Sequence, residues 1–424
     1  MTRFGDYKGK VLTVLTGTVA SQAIPIVLMP ALTRLFSPDD FGTLSLFLAA
    51  ATIAAVPATA AYDIALFLPK EKEKSANLLT LSLCIAVCFS VLLFLATYIW
   101  GDEFTALIDA AELEPYLWAL PIAVLFIASF QTLSSWLITQ QRFKGLALAR
   151  IAQSAAISLL QIVIGLSVAS ATSLIAGQLI GQTIGIATVV YLALSRDWTL
   201  IRQVNFCAMR ELGALYRRFP IYSLPANFIN VLANQAPMFL MTAFFGPVVV
   251  GLYALTQRIV AAPISIVGNA FLEVFKQRAS DEYKNHGHCR TAFRQTFRAL
   301  AWLGLIPCLP LLLFAPPLIA WLFGEPWREA GVYAQLLAPM LYIRFIASPL
   351  AYVLYVAERQ NYDLIWQVGL LVSTSLALVA GSYAGSPRLG IGLFSGAYFL
   401  MYVLYLWLSF RFAQGRGAGR EARS

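Results

Sequence analysis

Apolar residues run along this chain in long, nearly unbroken blocks, each closed by a short polar or glycine- and proline-bearing turn. Twelve blocks fall at about 11–36, 41–68, 77–100, 116–139, 147–169, 172–194, 220–244, 248–275, 297–323, 331–356, 361–384 and 388–411. A helix rises 1.5 Å per residue, so ~20 residues cross the ~30 Å hydrocarbon core of a bilayer. Each block therefore predicts one crossing. Their even spacing predicts a single all-α membrane bundle of about twelve transmembrane helices. Pro25, Pro30, Pro57, Pro263 and Gly268 lie inside blocks. Bundles tolerate them because neighbouring helices satisfy the freed backbone groups.

Composition fixes the class. The 424 residues are 59% hydrophobic and 12% charged, about half the charged share of a soluble domain. No cleavable signal peptide is expected: residues 1–10 are polar and basic, and the following block lacks a small-residue exit. The five cysteines (Cys84, Cys88, Cys207, Cys289, Cys308) lie in apolar blocks or on the basic side, so no structural disulfide is expected.

The net charge of +9 becomes informative through its placement. Of thirty Lys and Arg residues, twenty-five fall at one set of block ends, two (Arg328 and Arg388) at the other, and three (Arg34, Arg258, Arg344) within blocks. This asymmetry predicts both termini in the cytoplasm and explains the charge without nucleic acid. The opposite turns are acidic, with Asp39, Asp40, Asp102, Glu103, Asp109, Glu112, Glu114, Glu325 and Glu329.

An internal repeat organises the blocks. Shifting the chain by 209 places Thr33, Phe36, Pro38, Gly42 and Leu46 on Thr242, Phe245, Pro247, Gly251 and Leu255. A weaker echo relates ALPIAVLFIAS (119–129) to LAPMLYIRFIAS (337–348). Six blocks separate the copies, so both halves run the same way through the membrane, a parallel repeat. The expected division is a six-helix half at 1–194, a cytoplasmic amphipathic connector at 195–219, a second six-helix half at 220–411 and a disordered tail at 412–424. In the connector, Leu200, Val204, Met209, Leu212 and Leu215 can share one face of a helix lying on the inner leaflet.

Charge deep in the membrane is the candidate chemistry. Arginine at mid-bilayer costs at least ~2.5 kcal/mol and normally faces the interior or water. Arg258 and Arg344 lie well inside their blocks, and Arg34 lies near the acidic mouth of the first. Guanidinium suits a phosphate or diphosphate. The competing role is pairing with Asp63, Glu273 or Asp363, which are also candidate coupling acids. Asn227, Asn230 and Asn234 share one helix face, suited to sugar hydroxyls or to interhelical bonds. Thr13, Thr16, Thr18, Ser21 and Gln22 offer a polar wall in the first half. His286, His288 and Cys289 form an HxHC cluster without an evident further ligand, so no metal site is expected. The sequence has no P-loop motif, and no cofactor is expected.

At SPDDFG, YRRFPIYSLPANFINVLANQAP, FFGPVVVGLYALTQRI and AAYDIALFLPK, the sequence resembles the polysaccharide flippases, the O-antigen and exopolysaccharide repeat-unit translocases of the MOP superfamily. The resemblance implies a MATE-like fold of two pseudo-symmetric six-helix halves. It also implies movement of an undecaprenyl-diphosphate-linked oligosaccharide across a bacterial inner membrane, with a polymerase and other assembly proteins as partners. The pattern departs at Ala61, where many relatives carry arginine, so the resemblance assigns that corner no substrate role. Two alternatives are a MATE-type cation or drug antiporter and a membrane glycan polymerase or ligase. An antiporter calls for deep carboxylates, whereas Asp63, Glu273 and Asp363 lie near the basic ends. A polymerase calls for a large outer loop with acid/base residues, and the longest here, 101–115, has no histidine or arginine.

Overall fold

The computed structural model describes residues 2–107, 111–357 and 359–415. Every regular element among them is helical. In lipid a helix satisfies its own backbone groups, and apolar blocks of this length have no other stable form. The chain forms α1 (Thr2–Leu35), α2 (Pro38–Ala58), α3 (Tyr62–Ala65), α4 (Lys72–Leu107), α5 (Leu120–Thr139), α6 (Phe143–Gly165), α7 (Ala171–Arg202) and α8 (Phe206–Leu215). It continues through α9 (Leu224–Phe245), α10 (Pro247–Thr256), α11 (Ala262–His286), α12 (Arg290–Phe323), α13 (Arg328–Leu350), α14 (Val353–Val356), α15 (Gln360–Tyr383) and α16 (Pro387–Ala413).

Eleven described helices are long and apolar enough to cross a membrane. The chain is a multi-pass, all-α membrane protein. The expected eighth crossing, 248–275, is covered by α10, a π-helical turn at Gln257–Ala261 and the first part of α11, so it is helical throughout but not a single regular helix. The expected acidic loop at 101–115 is also mostly helical: α4 runs on to Leu107, with a kink at Trp100, and a 3-10 helix spans Ala111–Ala119. Asp109 and residues 416–424 of the expected tail lie outside the described residues, while 412–413 end α16.

The chain divides into two compact units, after Gly251 within α10. In the first, α2 packs against α5 and α9, α6 lies between α1 and α7, and α4 flanks α5. The turn between α1 and α2 is fixed locally. Ser37 accepts the Asp40 N–H and Asp40 accepts the Ser37 N–H at 3.0 Å, a capping box with Pro38 at the first helical position. That turn meets its own repeat copy. A Cβ on Gly42 would fall 1.9 Å from the Pro247 carbonyl oxygen, and one on Gly251 would fall 1.8 Å from that of Pro38. The two contacts are mirror images under the 209-residue shift, and both require glycine.

The connector is not one helix. Its first part continues α7 to Arg202, and α8 restarts at Phe206 with Asn205 as N-cap. Met209 and Leu212 are buried as expected, but Leu215 is 68% exposed and leaves the apolar face. Helix α8 docks on protein: Tyr62 Oη donates to Gly213 O at 2.9 Å, and the Asn205 N–H donates to Asn77 Oδ1 at 3.0 Å.

In the second unit α13 is central, packing on α11, α12 and α16. Phe275, Phe293, Leu300, Ile346 and Leu350 form its main apolar core. Glu282 of α11 caps α12 by accepting the Thr291 and Ala292 N–H groups at 2.9 and 2.7 Å. Trp302, Ile306 and Phe314 project outward from α12, as lipid-facing side chains do.

Candidate functional site

Arg344 sits on a buried stretch of α13. Ile343, Phe345, Ile346 and Ala347 around it are buried, yet its own side chain is accessible. It reaches a cavity of about 270 Å³ that it lines together with Gly268, Asn269, Leu272, Ser348 and Pro349. The phenols of Tyr398, Tyr402 and Tyr253 lie within electrostatic range of its guanidinium. Phenol hydroxyls are uncharged, so they do not neutralise it.

Arg258 lies in the π turn Gln257–Ala261 and is half-buried. A π turn inserts one residue into a helix and re-aims the side chains beyond it, a feature common at functional sites. The turn is held on its α10 side, where Thr256 Oγ1 donates to Leu252 O and Gln257 Nε2 donates to Tyr253 Oη at 2.8 Å. Arg258 does not line the Arg344 cavity. Arg34 occupies the last turn of α1 and is exposed. There its charge complements the helix C-terminal dipole.

Among the described residues none of these three arginines forms an ion pair with a carboxylate. The acids expected as partners are engaged elsewhere. Asp63 accepts from Thr59 Oγ1 at 2.8 Å and Gln131 Nε2 at 3.1 Å. Asp363 accepts from Tyr355 Oη at 2.9 Å, Gln367 Nε2 at 3.0 Å and Tyr405 Oη. Glu273 pairs with Lys276 one turn on, in an exposed position. A coupling role for Asp63 or Asp363 would have to break these bonds. By contrast, the two arginines at the acidic end are both neutralised. Arg328 grips Glu325 in a bidentate pair at 2.8 Å, and Arg388 grips Glu329 at 2.6 and 2.7 Å.

Asn227, Asn230 and Asn234 are all exposed on one face of α9, a helix with only Met241 and Thr242 buried. Asn234 Nδ2 donates to Asn230 O at 2.8 Å. Among the described residues the other amide groups of this row form no interhelical bond. The Thr13 side chain lies outside the described residues, whereas Thr18 and Ser21 face α6. Arg150 Nη1 donates to Thr18 Oγ1 at 3.1 Å, and Ser154 Oγ donates to Ser21 O at 2.5 Å. In sequence Arg150 counts only toward orientation. Its register with Ser154, one turn apart and facing a Thr/Ser pair on α1, is the available signal. Asn269 and Ser348 also escape the sequence reading, although Asn269 is a lone amide in an apolar stretch beside Gly268. In the HxHC cluster, burial and the nearby Glu282 charge push the Cys289 thiol up to about 12.

Among the described residues, Arg34 and Arg344 thus stand inside membrane-crossing helices without a carboxylate partner. Comparison with known proteins shows the family. Residues 31–332 match the family described as "Polysaccharide biosynthesis protein". The chain belongs to that family. The teichuronic acid biosynthesis protein TuaB of Bacillus subtilis is 27% identical over 169 residues, which span 40% of this chain and 35% of TuaB. The fold is similar to that of solved transporters. An inward-facing multidrug-resistance MATE transporter of the MOP superfamily superposes with a TM-score of 0.74 at 14% identity, covering 94% of this chain and 96% of its own. The lipid II flippase MurJ, in an inward closed conformation, does so with a TM-score of 0.70 at 14% identity, covering 94% and 87%.

Proposed function

We propose that this transporter flips an undecaprenyl-diphosphate-linked oligosaccharide from the cytoplasmic to the outer leaflet of a bacterial inner membrane, for O-antigen or exopolysaccharide biosynthesis. The observation that carries the reading is Arg344: a cation on a buried helix, facing a cavity, with no carboxylate partner among the described residues. Such a charge is costly to keep in a membrane protein. An incoming diphosphate would offset that cost, and bidentate guanidinium contacts would orient it. Arg258 is a further candidate contact within the second unit, and within the first unit Arg34 and the Asn227, Asn230 and Asn234 row are candidate contacts for phosphate and for sugar hydroxyls. In this reading 1–194 and 220–411 act as the two halves of an alternating-access cycle, 195–219 joins them on the cytoplasmic side, and both termini are cytoplasmic. The matching family and TuaB support a role in cell-surface polysaccharide assembly.

The test is complementation of a strain lacking the gene. Arg258→Ala and Arg344→Ala proteins at normal membrane abundance should export at least tenfold less surface glycan than wild type. Normal export by both would refute the headgroup role. Export of cationic dyes in place of glycan would favour an antiporter.

A further inference from the structure

The Arg344 cavity has a neighbour. A second cavity of about 220 Å³ lies among α11, α12 and α13, and the two share Ile264, Leu341 and Phe345 as a common wall. The chemistry changes across that wall. On one side stand Arg344, Asn269 and Ser348. On the other, Val260, Val267, Leu303, Ile306, Pro307 and Leu311 present only hydrocarbon. The two heteroatoms near the apolar side are already used: Tyr342 Oη donates to Ala301 O at 3.2 Å, and Cys308 Sγ to Ala338 O at 3.7 Å.

The Phe345 ring forms the partition, and glycines flank it. A Cβ on Gly304 of α12 would lie 2.9 Å from the ring, and one on Gly268 of α11 would lie 3.7 Å from it. Glycine at 304 thus lets α12 close against the ring. The slot also has a mouth. Ile306 is 69% exposed, and Val267 and Leu303 are exposed beside it, on the side of α12 that carries Trp302 toward lipid. An apolar cavity of this kind stays dry and takes up apolar ligands.

We propose that the two cavities form one bipartite site for an anionic amphiphile. The phosphate or diphosphate sits at Arg344, and the first segment of the hydrocarbon chain passes Phe345 into the α11–α12–α13 slot and leaves between α11 and α12 into the bilayer. The slot then recognises the lipid carrier rather than the sugar. This rests on the headgroup reading of Arg344, with charge complementarity and the shared wall fixing the occupant.

Binding by the purified full-length protein in one detergent tests it, using inorganic diphosphate, a ten-carbon prenyl diphosphate and a fifty-five-carbon polyprenyl diphosphate. The readout is the affinity ratio of the long chain to the short one, measured identically for each variant so that partitioning into micelles cancels. Leu303→Trp and Gly304→Leu fill the slot and should reduce that ratio at least tenfold. Arg344→Ala should weaken all three ligands by a similar factor. In a variant keeping only Cys308, the long-chain ligand should slow thiol labelling at Cys308, and inorganic diphosphate should not. A wild-type ratio in Leu303→Trp, with unchanged Cys308 labelling, overturns the slot and leaves the headgroup reading standing. Unchanged binding of all three ligands by Arg344→Ala overturns the headgroup reading itself. If Gly304→Leu fails to fold, Leu303→Trp and the labelling decide.

Discussion

The chain contains its opening hairpin twice, and the copies agree at one end and part company in the middle. At the acidic turn the agreement is close: Pro38 and Gly42 in one copy, Pro247 and Gly251 in the other, each glycine touching the other copy's proline carbonyl. Even there the local chemistry differs. Ser37 and Asp40 build a capping box in the first copy, whereas Gly246 turns the second with φ of +80°. Past the turn the copies diverge. Helix α2 runs unbroken to Ala58 with most of its residues buried, while its counterpart breaks at Gln257–Ala261. Arg258 lies in that break, and its repeat position is Ala49. Arg344 shows the same asymmetry, since the weaker echo aligns it with Leu125. The repeated parts hold the scaffold together, and the unpaired charges stand where repetition was abandoned.

The mirrored glycine contact gives the largest expected effect. Gly42→Ala and Gly251→Ala each force a Cβ against a carbonyl that cannot swing away, and overpacking of this kind costs about 3 kcal/mol. Both should lower the detergent Tm by similar amounts, and the double variant should cost less than the sum because one displacement relieves both contacts. Unequal effects would break the symmetry argument. The two turns should next separate by mechanism. Gly246→Ala places a side chain where φ is +80° and ψ 172°, a region essentially restricted to glycine, at about 2 kcal/mol. Ser37→Ala removes a capping box, at about 1 kcal/mol. Denaturant titration of the pair would show whether the first copy is the more tolerant.

The smallest effect is a pH dependence confined to the second copy. Burial raises the Glu282 carboxyl, but the Ala292 and Thr291 hydrogen bonds outweigh it and hold it below its ordinary value of 4.5. A depressed carboxyl contributes stability above its unfolded value, and that contribution is lost as pH falls through the folded one. The Tm of wild type should therefore fall relative to Glu282→Gln as pH drops below about 4.5, with the two curves parallel above it.

Much of the architecture was legible because it rests on local rules. Block length gave the crossings, and the SPDDFG turn carried both its cap and its repeat partner. The π turn was not legible, because 248–275 reads as one continuous apolar helix and nothing in its periodicity marks an inserted residue. The Arg344 chamber was half legible. The charge stands out in sequence, but Asn269 and Ser348 join it only through the packing of α11 on α13. The partners of Asp63 and Asp363 were hidden for the same reason. Their hydroxyl and amide donors come from short turns and neighbouring helices, not from the arginines that charge alone suggested.

Reception of an anionic headgroup by Arg344, which has no carboxylate partner among the described residues, is the step we propose for the second unit. Its most direct measurement is transport of a polyprenyl-diphosphate-linked saccharide in proteoliposomes by wild type, Arg344→Lys and Arg344→Ala at matched reconstitution. Partial transport is expected with lysine, which keeps the charge but not the bidentate fork, and at least a tenfold loss with alanine. Wild-type transport by Arg344→Ala would contradict it.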